Sequence, residues 1–490
     1  VELATTGTVT LDANGTSSDI WVSENITSTG GELIISADND IRINSAANIS
    51  STNGNISITA DADTIADSQS GELMMTDGTI IDAGSGIISI SADENINLGQ
   101  IKTTNNTSSA ISIISKNGAI VDSKNTNGED IIAESGKVTI SAKTGIGTSA
   151  DAIETSVKDF TATNSTSGSI FIKETNAINI VSSGVSTKGG NGSVVITATA
   201  GNIKTSADIS ANGSGNILIN ADSGNLDIDS DILSSTGHIT LKASAAIDAT
   251  AADVDITTAS SGTISLDAES GAITMAGDTD ITATNSSLRL NAGTNIILAN
   301  LSAQNVSILA DNGAITNASG STKNITATNL RLHANCDIGN STAHLTTNID
   351  NISAYSATGS MFMTEDNGAT VTSTRVVVTE FRPNATTADV IDTAQSDLTT
   401  GVNGNIVLIV NAGDLTLNDG DTNVNQTDGD NRQPNHTAVS ANGSGNILLH
   451  ANTGNLDINS DILSGTGHIT LKAAADILVG DGTATGVDIT

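Results

Sequence analysis

The stretch NDGDTNVNQTDGDN, from Asn418 to Asn431, places oxygen-bearing side chains at the intervals of a calcium-binding loop. Asp419, Asp421, Asn423, Asn425 and Asp430 fall at loop positions 1, 3, 5, 7 and 12. Hard divalent cations take roughly six to eight such oxygens, so Ca2+ is the cofactor this spacing would serve. Val424 stands where the sharp turn wants glycine, and Asp430 is one carbon shorter than the usual glutamate. A second oxygen set lies in NLDIDSD, where Asp227, Asp229 and Asp231 alternate and so share one face of an extended chain. The competing readings are a polar loop for the first and a solvated acidic ladder for the second.

Other chemistries leave less trace. The six histidines are scattered, and His238 and His468 hold equivalent outward places in two copies of GHITLK. Cys336 is the only cysteine, so disulfides within the chain are excluded, and it reads as a small buried filler. Sugar-cleaving clefts need paired acids or clustered bases beside aromatic platforms. With 18 Lys and Arg dispersed over 490 residues, one Trp, one Tyr and four Phe, such a cleft is hard to build. No enzyme is expected.

Charge narrows the partners. Fifty-four acids against 18 bases give a formal net charge of −36 at pH 7, which repels nucleic acid and anionic lipid. Divalent cations are natural counter-ligands, and the same acidity would keep a long fibre soluble and unbundled. Membrane insertion is not expected, because no apolar run approaches the roughly 18 residues a span needs. The chain starts at Val1 without a visible signal peptide, and we read it as part of a larger protein.

The elements that would position these residues repeat. Ala211 to Ala243 and Ala441 to Ala473 are 33-residue segments with 27 identical positions. Self-similarity of this kind marks an array of stacked supersecondary units. A shorter pattern, small–polar–apolar–polar–apolar–polar–small, recurs as GELIISAD from Gly31, GNISITAD from Gly54, GSVVITAT from Gly192, GNILINAD from Gly215 and GHITLKAS from Gly237. Period-two alternation rich in β-branched residues predicts strands with one buried face. Successive copies stand 22 or 23 residues apart where the repeat is tightest, room for three short strands and three turns.

Coils of equal length predict an all-β, right-handed parallel β-helix, a β-solenoid with about three strands per 22–24-residue coil and occasional looped-out corners. Ile217, Ile219 and Ala221 would then belong to the same inward columns as Ile239, Leu241 and Ala243, with Asn, Ser, Thr, Asp and Lys outward. Scarce aromatics agree, since a narrow interior of constant cross-section favours Ile, Val, Leu and Ala. Trp21 and Tyr355 are expected outside the columns. A second duplicated motif pairs IGTSADAIETSVKDF from Ile146 with IGNSTAHLTTNIDNI from Ile338, each leading to a Gly-Ser pair before an apolar strand. We expect shaft over 1–371, a less regular region with lateral loops over 372–437, and shaft again over 438–490. The two chain ends, joined, imitate the internal passage from Asp248 to Gly271, so the repeats are expected to continue beyond both.

The G-x-I-x-L-x-A strands, the GSI-type strand after an IG-x-S segment and the Asn/Thr/Ser-rich coils resemble the filamentous haemagglutinin-like exoproteins, giant bacterial adhesins with β-helix repeats. The resemblance implies a β-helical shaft at the cell surface or outside the cell, acting in adhesion, aggregation or biofilm. Expected partners are neighbouring copies or further repeats of the same chain, end-to-end or lateral, and glycans or cell surfaces. Two other readings stay open: a glycan- or cell-binding module on a β-helix, and a β-helical polysaccharide lyase or hydrolase.

Overall fold

The computed structural model describes residues 2–3, 6–15, 17–45, 47–62, 71–123, 128–321, 323–420, 437–480 and 487–490. Among them there is no helix, and the strands stack in parallel as a β-solenoid of about 19 turns of about 23 residues. Two compact units result, residues 1–237 with 381–386, and residues 238–380 with 387–490.

A coil of the first unit shows why these residues fold so. Val194–Ala198, Ile203–Thr205 and Ile209–Ala211 are its three strands, and each pairs in register with its counterpart 23 residues on: Val194 with Ile217, Ile203 with Leu226, Ile209 with Ile232. Backbone bonds such as Val194 N to Asn216 O, 2.8 Å, join coil to coil. Period-two alternation then aims every second side chain inward, so Ile217, Ile219 and Ala221 are wholly buried. Each large aliphatic residue so enclosed contributes about 1.5–3 kcal/mol. Corners need glycine where coils touch: a Cβ on Gly215 would lie 2.0 Å from the carbonyl oxygen of Gly192. Phe160 also lies wholly buried, at the level of Val138, so the first unit admits one aromatic to a column.

The second unit repeats the scheme. Ile239–Ala243 pairs with Ile264–Ala268, and Leu288, Val306, Leu330 and Ile352 continue the same ladder. Ile239, Leu241 and Ala243 are buried. Asn329 and Asn351 form an amide ladder outside, Nδ2 of each donating to the Oδ1 of Asn305 and Asn329 at 2.7 and 2.9 Å. Trp21 is 61 % exposed under the Arg42 guanidinium, and Tyr355 stacks on His333 outside the column with ring centroids 5.0 Å apart. Cys336 is half-buried at a turn rather than enclosed, which corrects its reading as a buried filler.

Two features depart from evenly spaced coils. Long strands such as Ile131–Ala142, Ile153–Asn164 and Leu345–Ser356 run through what is elsewhere a corner, so irregular intervals reflect merged strands as well as inserted loops. Thr374–Phe381 and Thr387–Gln395 form a separate two-stranded sheet. Its residues in the second unit cover outward side chains that alternation alone would leave in water. Thr240, Ser265, Ser307 and Ser353 there are all fully buried. In the first unit, outward Phe171, Val195 and Leu218 form an apolar cluster with Phe381.

Candidate metal centre

The first copy of the IG-x-S motif builds an acidic corner in the first unit. Gly147 takes φ +62°, and the turn after it closes by Thr148 N to Asp151 O, 2.7 Å, and Asp151 N to Thr148 Oγ1, 3.0 Å. The chain then enters Ile153–Asn164, which brings Glu154 beside Asp130 of the preceding coil. Asp130 N donates to Glu154 O at 2.8 Å, and Glu154 N donates to Asp130 Oδ2 at 2.9 Å. Asp122, at the end of Ile120–Asp122, completes the group. One carboxylate oxygen from each of Asp122, Asp151 and Glu154 lies within 4.8 Å of the other two.

A cavity of about 310 Å³ adjoins this corner, lined by Asp77, Thr79, Gln100, Asp122, Glu129 and Asp130 among others. Lys173 is the cation near the group, its Nζ 3.7 Å from Glu154 Oε1. Burial pushes the Asp130 carboxyl up to about 9, with the Asp122 charge adding to it. Burial also raises Glu154, against the pull of Lys173, and raises Asp151, again helped by Asp122. Two oxygens here are enclosed without a hydrogen-bond partner, Asp151 Oδ1 and Thr79 Oγ1. Oxygen-only donors suit a hard cation rather than zinc or copper.

The second copy of the motif is a built-in comparison. Following the ladders, Asp122, Asp130, Asp151 and Glu154 correspond to Asn317, Asn324, Ala343 and Thr346 of the second unit. The hydrogen bonds are the same: Asn324 N donates to Thr346 O, and Thr346 N donates to Asn324 Oδ1, both at 3.0 Å. Thr279, which corresponds to Thr79, donates its Oγ1 to Ala249 O at 3.0 Å. The corner therefore folds with four neutral residues, and its backbone does not require the carboxylates.

The acids that sequence spacing singles out lie elsewhere. Of the calcium-loop residues only Asp419 is described; Asp421, Asn423, Asn425 and Asp430 lie outside the described residues. Asp229 forms an ion pair with Lys204, which also stands opposite Asp227 in register, and Asp231 O accepts Ile209 N. Among the described residues only Asp122, Asp151 and Glu154 close into a three-acid group. The available signal was the loss of acids between the two motif copies, Asp151 to Ala343 and Glu154 to Thr346. No family model matches the chain, and no curated protein and no solved structure is significantly similar to it.

Proposed function

We propose that the chain is a structural segment of an extracellular fibre, or of the shaft of a giant surface adhesin, serving adhesion, cell aggregation or biofilm matrix. The observation that carries this reading is the coil-on-coil parallel ladder of each unit, with aliphatic columns inside it. Each turn adds about one strand spacing of length and satisfies its backbone on the turn below, a construction whose natural product is extension. The hairpin bears on the alternative of ligand-reading loops. Glu380, Asp392 and Gln395 are engaged with Lys242, Arg289 and the Leu332 carbonyl, so they are not presented to a partner. Partners are neighbouring copies or further repeats of the chain, and the reading assigns no catalytic residue. Electron microscopy of native material tests it. Thin unbranched filaments are expected, and discrete compact particles would overturn it.

A further inference from the structure

We propose that Asp122, Asp151 and Glu154, backed by Asp130, form a Ca2+ site at the acidic corner of the first unit. Geometry supplies the first reason. Oxygens within 4.8 Å of one another can share one ion at the roughly 2.3–2.6 Å calcium bond length. They come from two separate strands and a turn, an irregular set that calcium tolerates and magnesium, with its strict octahedron, does not. No histidine or cysteine joins the group, so softer metals lack their preferred donors.

Independent evidence comes from the adjoining cavity. Thr79 is fully buried and lines it, yet its Oγ1 has no partner, whereas the corresponding Thr279 hydroxyl is bonded to a carbonyl. A buried hydroxyl without a partner is costly unless an ion or ordered water meets it. Asp151 Oδ1, enclosed and unpartnered within the acid group itself, makes the same point. The neutral copy of the corner removes the plain alternative that folding needs these acids. Asn317, Asn324, Ala343 and Thr346 do the structural work without charge. Gathering four carboxylates where two amides, a methyl and a hydroxyl suffice is repulsive, and a divalent cation offsets that repulsion.

The neutral copy also supplies the test. The double variant Asp151→Ala, Glu154→Thr carries the residues that the same corner uses in the second unit. Full-length wild type and variant are stripped of metal and titrated with CaCl2 and with MgCl2 by calorimetry, in enough NaCl to screen diffuse binding. Circular dichroism checks that both fold alike. Wild type should show a saturable calcium event, tighter than the magnesium one, that the variant loses or weakens by at least about tenfold. Removing two of 54 acids barely changes the diffuse charge, so a selective loss points to the corner. Identical calcium titrations of the two folded proteins would overturn the proposal, as would a wild type that prefers magnesium. Calcium bound elsewhere, for instance through Asp419, would survive in the variant and count against the corner.

Discussion

Glu174 stands at an inward place where the next coil of its ladder carries Ala198, and it is fully buried. Thr155 Oγ1 donates to it at 2.6 Å, and the backbone N–H groups of Val157 and Asn176 donate at 3.2 and 3.1 Å. Glu365 does the same for Thr347, Ile349 and Asn367 in the second unit, so each IG-x-S motif ends on a buried acid that accepts backbone donors. Burial outweighs these bonds and lifts Glu174 from 4.5 to about 7, with the nearby Glu129 charge adding to the shift. The folded pKa lies above the unfolded one, so its stabilising effect is full below pH 4.5 and is lost as pH rises through about 7. We expect wild type to lose about 3 kcal/mol of local stability across that window relative to Glu174→Gln, which cannot ionise. Hydrogen exchange over Ile170–Glu174 at pH 5 and pH 8 checks this; equal pH dependence in both proteins would refute it. Alternation places Glu174 inward, a signal that reading GSIFIKE only as an apolar strand passes over.

At the scale of elements, the hairpin strands Thr374–Phe381 and Thr387–Gln395 change what the solenoid face exposes. Arg289 and Asp392 form a nearly buried pair at 3.1 Å, and Glu380 accepts the Ser265 hydroxyl at 2.8 Å while pairing with Lys242. Breaking a buried pair strands the other charge at a cost of about 3–5 kcal/mol. Asp392→Ala should therefore release Thr387–Gln395, read as faster hydrogen exchange there, with the inward columns unchanged. If exchange stays slow, the pair does not anchor the strand. Columns and corners were legible because periodicity is local, two residues along a strand and about 23 between coils. The docked hairpin was not, because its contacts join residues far apart along the chain, 103 positions for Arg289 and Asp392 and 115 for Ser265 and Glu380. In the second unit, outward Thr240, Ser265 and Ser307 carry the same polar types as solvent-facing neighbours, so nothing in their sequence betrays a cover; in the first unit, outward Phe171, Val195 and Leu218 do betray one. The acidic corner hides for the same reason: Asp122 and Glu154 meet only once the coils are stacked.

Charge acts on the whole molecule, and composition states it outright. With 54 acids and 18 bases, at most a third of the acids can find a side-chain cation of their own. The surplus repels itself within a copy and between copies, over a Debye length of about 30 Å at 0.01 M salt and about 8 Å at 0.15 M. Lateral contact between copies should therefore be blocked in dilute buffer and permitted as salt rises. Light scattering between about 10 mM and about 0.5 M NaCl is expected to climb while circular dichroism stays β-rich. Scattering that falls or stays flat would show that charge does not govern association. The Asp151→Ala, Glu154→Thr variant separates screening from site binding. It keeps 52 of the 54 acids, so it should follow the wild-type NaCl curve while losing the selective response to calcium. A variant that instead shifted the NaCl curve would mean that the corner acts in contacts between copies, through repulsion that bound calcium removes.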